Sequence, residues 1–239
     1  MQTVETPMKP AKEEVSSHIL KLMIGVIAIS LALITNLFTK VELWSISESY
    51  WAGGPSRTIF LGFLFAIAAL LFAYNGKSIK EMVMSKIAGI AAIGVAMFPC
   101  DCECKAKRPE LAPCEIVSSA HFIAAAAMFV ILIYFCYTFY ARALKPKEGQ
   151  TEISKEAKFR AFIYAACGLT IIAVIIAVLY DALTHGSVIA MWNTFIFYAE
   201  ATGLIAFGVA WLVSSRTLPL ITADFERYSL NPHLLQVDK

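Results

Sequence analysis

Long apolar stretches separated by short polar segments dominate the hydropathy pattern of this chain. A helix needs about 20 mostly apolar residues to cross a hydrocarbon core about 30 Å thick. Six segments fit this requirement, the third being the shortest. The pattern predicts an all-α, polytopic membrane bundle with six transmembrane helices, at about Ile19–Phe38, Thr58–Tyr74, Lys86–Phe98, Ile116–Tyr140, Ala161–Tyr180 and Ile189–Val213.

The composition supports a membrane protein, because 59% of the residues are hydrophobic and only 16% are charged, far from the balance of an ordinary soluble domain. Residues 1–18 are polar and lack the features of a cleaved secretory signal, so the first apolar stretch is interpreted as a retained span. The expected organisation is an N-terminal tail at 1–18, a membrane domain at 19–213 and a C-terminal tail at 214–239.

The positions of lysine and arginine predict the orientation, since cytoplasmic loops carry an excess of both. Most of them fall in the N-terminal tail, the second and fourth connections and the C-terminal tail. Both termini are therefore expected in the cytoplasm, with external loops at about 39–57, 99–115 and 181–188. The net charge of +2 gives no reason to expect a nucleic-acid partner.

The first external loop is unusually polar, reading SISESYWAGGPSRTIF from Ser45 to Phe60. Gly53-Gly54-Pro55 is typical of a turn, and Ser56 is placed to cap the second span. One interpretation makes the aromatic residues an interfacial belt and lets Arg57 reach lipid headgroups. The other places this loop at the mouth of an external cavity, with Ser45, Ser47, Glu48, Tyr50 and Arg57 as ligand-binding residues.

Ionisable side chains inside the spans favour the cavity interpretation, because such groups are costly in hydrocarbon and usually face a bundle interior. His121 lies near the external end of the fourth span, and Glu200 lies about 11 residues into the sixth. Asp181 and His185 are four residues apart at the external end of the fifth span. His121, Glu200, Asp181 and His185 are the candidate catalytic groups, and His121 and Glu200 are also predicted to bind the ligand. Each also has a structural interpretation as a hydrogen-bonding or solvated residue.

Four cysteines cluster in the second external loop. In an oxidising compartment such a cluster favours disulfides, whose connectivity the sequence does not determine. A four-thiolate metal site is the alternative, but single-residue alternation is not the usual spacing of zinc knuckles. The disulfide prediction covers Cys100, Cys102, Cys104 and Cys114.

The sequence lacks the residues or motifs that several well-known classes of binding and catalytic site require. No span carries a central lysine for a retinal Schiff base, and the chain has no Walker loop, dinucleotide glycine fingerprint, His-Glu-x-x-His or Gly-x-Ser-x-Gly. No cofactor is predicted on this basis.

The loop SISESYW followed by an arginine resembles the first external loop of the FRAG/DRAM/SFK superfamily, which has six spans and cytoplasmic termini. The strings GIAAIGVAMFP, SSAHFIAAAAMF and YAEATGLIAFGVAWLV also resemble bacterial membrane proteins of this layout. The resemblance covers about residues 20–213, and the cysteine-rich insertion departs from it. The matching positions are Ser45, Ile46, Ser47, Tyr50, Arg57, Pro99, His121 and Glu200.

This resemblance implies a role in lipid homeostasis or remodelling at a bacterial inner membrane, with a membrane lipid as the partner. One alternative is a zinc-dependent lipid hydrolase of the alkaline ceramidase-like kind, in which His121, Asp181 and His185 would hold zinc and Glu200 would act as base. Another is an accessory subunit that packs against other membrane proteins through small residues such as those at 124–127.

The orientation can be tested with reporter fusions. A reporter that is active only outside the cytoplasm should be inactive after residue 239 and active after residue 188. The reverse pattern of activities would place the SISESYW loop in the cytoplasm and contradict the charge-based prediction.

Overall fold

The computed structural model describes residues 16–39, 42–100, 114–146, 152–219 and 221–222, without the side chains of 114–118. Six long helices and two short ones occupy these ranges, and a 3₁₀ turn, Thr35–Phe38, extends the first helix. The helices are α1 Ser17–Ile34, α2 Ser49–Ala52, α3 Gly54–Ala73, α4 Ile79–Met97, α5 Cys114–Ala143, α6 Lys155–Leu183, α7 Ser187–Met191 and α8 Phe195–Ser215.

Serine caps start three of the long helices at one end of the bundle. Ser16, Ser78 and Ser154 each accept a hydrogen bond from a backbone N–H in the first turn of α1, α4 and α6, at 3.3, 3.2 and 3.1 Å. These bonds satisfy N–H groups that have no partner within the helix. In each of these helices, the serine hydroxyl thus takes the place of the backbone carbonyl that would accept this N–H inside a helix.

Helix α3 begins earlier than the sequence pattern predicted. Gly53 and Gly54 have φ values of +70° and +54°, a conformation that glycine adopts without strain, and Pro55 occupies the first turn. Ser56 is therefore not the helix cap that was predicted. Its buried hydroxyl instead donates to the carbonyl of Thr35 at 3.1 Å, which satisfies a carbonyl at the end of α1.

Five helices are long and apolar enough to cross a membrane, as expected of an integral membrane protein, and the described residues form helices without strands. They are Ser17–Phe38, Gly54–Ala73, Ser119–Ala143, Lys155–Leu183 and Phe195–Ser215. The third predicted span, Lys86–Phe98, falls within α4, whose first half carries Lys80, Glu81 and Lys86. Helix α4 packs against α3 and α5, but its polar start keeps it outside this group, and six spans remain a prediction.

The sixth predicted span, Ile189–Val213, is not one continuous helix. The chain forms α7, leaves helical geometry at Trp192, and starts α8 at Phe195. Asn193 and Thr194 lie in this break, and both residue types favour turns over helix interiors. Glu200 therefore lies in the second turn of α8, closer to the helix start than the continuous span implied.

The first and last long helices pack with their backbones in contact. A Cβ added to Gly25 of α1 would lie 2.7 Å from the carbonyl oxygen of Gly208 in α8, and one added to Gly208 would lie 2.8 Å from that of Gly25. Small residues permit this close approach, which is common between membrane helices. At one end of the pair, His18 Nδ1 lies 2.7 Å from the Ser215 carbonyl oxygen. At the other, Phe197 N–H donates to the Trp44 carbonyl at 2.8 Å.

An aromatic cluster fills the bundle interior next to the α1 N-terminus and the α8 C-terminus. The Trp211 ring is fully buried, with its centroid 5.1 Å from those of Tyr74 and Phe135 and 5.6 Å from that of Phe139. Edge-to-face contacts of this kind add to the energy of burial. A second cluster, which includes Leu43 and Ile46, packs at the other end.

The contact between Gly25 and Gly208 predicts a selective cost for added volume. Gly25→Ala should lower the free energy of unfolding by about 1–3 kcal/mol, because the new methyl group overlaps the α8 backbone. Gly62 in α3 is the matched control, since a Cβ there would meet no atom within 4 Å. Gly62→Ala should leave stability unchanged or raise it by up to about 1 kcal/mol. Equal unfolding of both variants in detergent would contradict the packing.

Candidate functional site

The SISE sequence of the first loop folds the chain into a self-capped turn. The Ser45 hydroxyl accepts a hydrogen bond from the Glu48 N–H at 3.1 Å, and the Glu48 carboxylate accepts one from the Trp44 N–H at 2.6 Å. This reciprocal pattern is similar to a helix capping box, which has the same Ser-x-x-Glu spacing. Two of the predicted ligand-binding residues, Ser45 and Glu48, therefore shape the loop.

Glu200 joins this loop to α8. Its Oε2 accepts a hydrogen bond from the Ile46 N–H at 2.6 Å, and the Ser47 backbone N–H also contacts the carboxylate. Consecutive backbone N–H groups of this kind form a concave site for an anion. Ile46 itself is only 2% exposed, so the carboxylate satisfies a polar group that water reaches poorly. The intramembrane carboxylate singled out from the sequence thus has a specific partner inside the chain.

His121 holds the same loop from α5. Its Nδ1 lies 2.6 Å from the Phe98 carbonyl oxygen, and its Nε2 lies 3.2 Å from the Ser47 hydroxyl oxygen. Because a carbonyl only accepts, Nδ1 carries the hydrogen. The Ser47 hydroxyl also bonds to the Glu200 carboxylate, so it links the ring to that carboxylate. His121, Ser47 and Glu200 therefore meet through residues 46–47 of one loop. The open ligand-binding cavity expected at this loop stays a prediction.

The Ser47–His121 pair has the geometry of a hydroxyl beside a base whose ring is oriented by a third group. Ser47 is 8% exposed and His121 is 3% exposed, so a substrate would reach the hydroxyl only after the loop moved. In the observed conformation the pair acts as a hydrogen-bonded tie between the loop and α5. Ser49, next to it in the chain, is buried with a hydroxyl that has no partner in the described part of the chain.

Arg57 and Tyr50 form the exposed side of this region. The guanidinium carbon of Arg57 lies 4.2 Å from the centre of the Tyr50 ring, a cation–π contact. Tyr50 is fixed in turn by its N–H, which donates to the Ser47 carbonyl at 3.2 Å. Arg57 is exposed and has no carboxylate partner among the residues that the structure describes. The guanidinium group is thus accessible to a ligand from outside the chain.

Asp181 and His185 have different surroundings from each other. The Asp181 carboxylate is buried and accepts hydrogen bonds from the N–H groups of Val188 and Ile189 at 2.8 and 3.1 Å, which caps the start of α7. His185 is exposed and has a left-handed backbone with φ of 54°. The helix has ended before this residue, so the shared helical face expected for the two side chains does not form.

The described residues bear on only part of the metal-site and disulfide hypotheses. In the ranges that the structure describes, no group of three or more His, Cys, Asp or Glu side chains is arranged to hold a metal ion. Cys100 is buried, and its carbonyl accepts a hydrogen bond from the Trp51 indole at 2.7 Å. Cys102, Cys104 and the Cys114 side chain lie outside the described residues. The disulfide assignment stays a prediction.

The opposite end of the bundle contains an ion pair that sequence reasoning missed. Glu81 of α4 is buried and pairs with Arg142 at the end of α5. The Tyr74 hydroxyl and the Lys77 N–H also donate to this carboxylate, at 3.3 and 3.2 Å. The signal in the sequence was an acidic residue three positions after the Ser78 cap, where a capping box places it.

Comparison with known proteins gives no relative for this chain, since no family model, curated protein or solved structure matches it.

The bond between Glu200 and Ile46 predicts different effects for two substitutions. Glu200→Gln keeps an oxygen that accepts the Ile46 N–H and should leave the loop closed. Glu200→Leu removes the acceptor and leaves the N–H unsatisfied, at a cost of about 1–3 kcal/mol. Hydrogen exchange of the Ile46 amide should then accelerate by roughly tenfold to hundredfold in the leucine variant alone. Unchanged exchange in that variant would show that Glu200 does not hold the loop.

Proposed function

We propose that this integral membrane protein binds an anionic lipid headgroup at its first loop, with Arg57 as the main contact. The observation that carries the proposal is the Arg57–Tyr50 pair, in which an exposed guanidinium is fixed over a ring at 4.2 Å. An arginine held in this way presents a planar fork that fits phosphate or carboxylate oxygens in a bidentate manner. The rest of the loop supports the position of the pair.

The local electrostatics favour an anion beside Arg57. This residue lies in the first turn of α3, where backbone N–H groups without helical partners give a partial positive charge. The nearby carboxylates are engaged elsewhere, since Glu48 accepts from Trp44 and Glu200 accepts from Ile46. A headgroup phosphate would therefore meet the arginine and the helix start together.

The helix surfaces suit the acyl chains of such a lipid. Phe65 on α3 and Phe122 and Ile123 on α5 are large apolar residues with 43%, 59% and 69% of their surface exposed. In a membrane these side chains contact hydrocarbon, which is the favourable environment for them. A lipid whose headgroup lies at Arg57 would extend its chains along this kind of surface.

The other two hypotheses from the sequence have less support. The proposed zinc ligands His121, Asp181 and His185 bond or face different partners, as described above. The stretch 124–127, suggested as a surface for another subunit, contributes Ala124, Ala125 and Ala127 to packing within the chain. Lipid binding therefore agrees best with the contacts of the described residues.

The proposal predicts that lipid retention depends on the arginine fork. In native mass spectrometry of protein purified from membranes that contain phosphatidylglycerol, wild type should retain this lipid. Arg57→Gln should weaken retention by about tenfold or more, because it removes a charged hydrogen bond. Arg57→Lys should have an intermediate effect, since lysine keeps the charge without the fork.

Tyr50→Phe is the matched control, because it keeps the ring under the guanidinium and should retain the lipid as wild type does. Equal retention by wild type and Arg57→Gln would show that the lipid binds elsewhere. A wild type that retains no lipid would favour the accessory-subunit hypothesis, and a retained zinc ion would favour the hydrolase.

A further inference from the structure

Two adjoining cavities lie at the end of the bundle opposite the first loop, with volumes of about 270 and 90 Å³. They are bordered by the starts of α1 and α6, the ends of α5 and α8, and the α3–α4 connection. Both cavities share Lys77, Arg142, Arg160 and Arg216. We refer to the two together as the basic cavity, whose basic residues are Lys21, Lys77, Arg142, Lys145, Arg160 and Arg216.

Within the described residues, few carboxylates oppose this positive charge. Glu152 borders the larger cavity, and Glu81 lies behind it with its charge committed to Arg142. Lys21, Lys77, Lys145 and Arg216 have no ion pair with a carboxylate in the described ranges. Uncompensated cations at close range repel one another, so the cavity favours an anion that reduces this repulsion.

Lys21 provides an independent sign of a missing ligand. This α1 residue is only 4% exposed, and its ammonium borders the smaller cavity. The nitrogen lies 5.7 Å from the Tyr74 ring centre and 5.4 Å from the Phe139 ring centre. These ring faces attract the cation, but they do not replace the three hydrogen-bond acceptors that an ammonium group can use. No such acceptor for Lys21 is seen within the described residues.

The electrostatics at Lys77 agree with this picture. Lys77 lies outside the membrane-spanning segments, in the α3–α4 connection. Desolvation lowers the pKa of its ammonium group, and repulsion by Arg142 and Arg216 lowers that pKa further. An anion in the cavity would oppose both effects and hold Lys77 in its charged form.

We propose that the basic cavity binds a phosphate group in its dianionic form. Arg216 supplies a planar fork for bidentate contact, Lys21 and Lys77 supply ammonium groups, and Arg142, which is paired with Glu81, adds positive charge. The volume of about 270 Å³ lies just below the usual range for organic ligands, which is about 300–1,000 Å³. This size suits free phosphate or the phosphomonoester headgroup of a lipid, and it is small for a nucleotide. The site is separate from the Arg57 site and lies at the other end of the helices.

Calorimetric titration of the full chain in uncharged detergent tests the proposal at constant ionic strength. One arm uses inorganic phosphate and the other uses dioctanoyl phosphatidic acid, with sodium chloride as the blank. Saturable binding of inorganic phosphate would assign the site to the free anion. Binding of phosphatidic acid alone would assign it to a lipid headgroup. If wild type binds neither probe, the proposal is wrong.

Two variants locate the binding. Lys77→Gln and Arg216→Asn should each weaken the bound probe by about 10- to 100-fold, the effect of losing one charged hydrogen bond. Asparagine suits position 216 because this residue has φ of 57°, a conformation that asparagine tolerates. The unfolding midpoint of each variant without ligand should first be shown to equal that of wild type. If one variant misfolds, the other still tests the proposal.

Lys158→Gln is the matched control. This exposed lysine lies on α6 near the same end of the bundle and does not border the cavity. The substitution removes one positive charge, as the two test variants do. It therefore distinguishes the loss of a specific contact from a general decrease in positive potential. Affinity equal to wild type is expected for Lys158→Gln. Affinity equal to wild type in both Lys77→Gln and Arg216→Asn would overturn the proposal.

Discussion

The close contact between Gly25 and Gly208 is the constraint on which the two polar ends of this protein depend. With their backbones touching, α1 and α8 stay aligned along their lengths. The same alignment brings His18 to Ser215 at one end and Trp44 to Phe197 at the other. The basic cavity borders His18. The loop held by Glu200 begins at Ser45, directly after Trp44 in the chain.

The buried ionisable side chains have different kinds of partner at the two ends of the bundle. At the loop end, each intramembrane ionisable group is satisfied by the chain itself, since Glu200 accepts from the loop backbone and His121 bonds to Phe98 and Ser47. At the other end, one carboxylate is paired and several cations are left with aromatic rings or other cations as neighbours. Among the described residues, the polar groups at the loop end thus have partners within the chain, whereas the other end brings several basic side chains together.

Hydropathy predicted the helical bundle because bilayer thickness sets the length of an apolar segment, and five helices meet that limit. His121 and Glu200 could be singled out from the sequence because ionisable groups inside spans usually face a bundle interior, but their contacts with Ile46 and Ser47 of the loop could not. The structural roles of Ser45 and Glu48 could not be predicted, because serine and glutamate occur both in capping patterns and in ligand-binding sites. The basic cavity was missed because the lysines and arginines around it were used to predict the orientation and were not considered as one site, although the Lys21 side chain is buried.

The bond from Ile46 to Glu200 joins residues 154 positions apart in sequence. Ribosomes add about 5–20 residues per second, so the acceptor is synthesised roughly 8–30 s after its donor. During that interval α1 and α3 have already emerged, while the loop between them has no α8 to close against. The loop end of the bundle can therefore close only after α8 has been synthesised and has packed against α1.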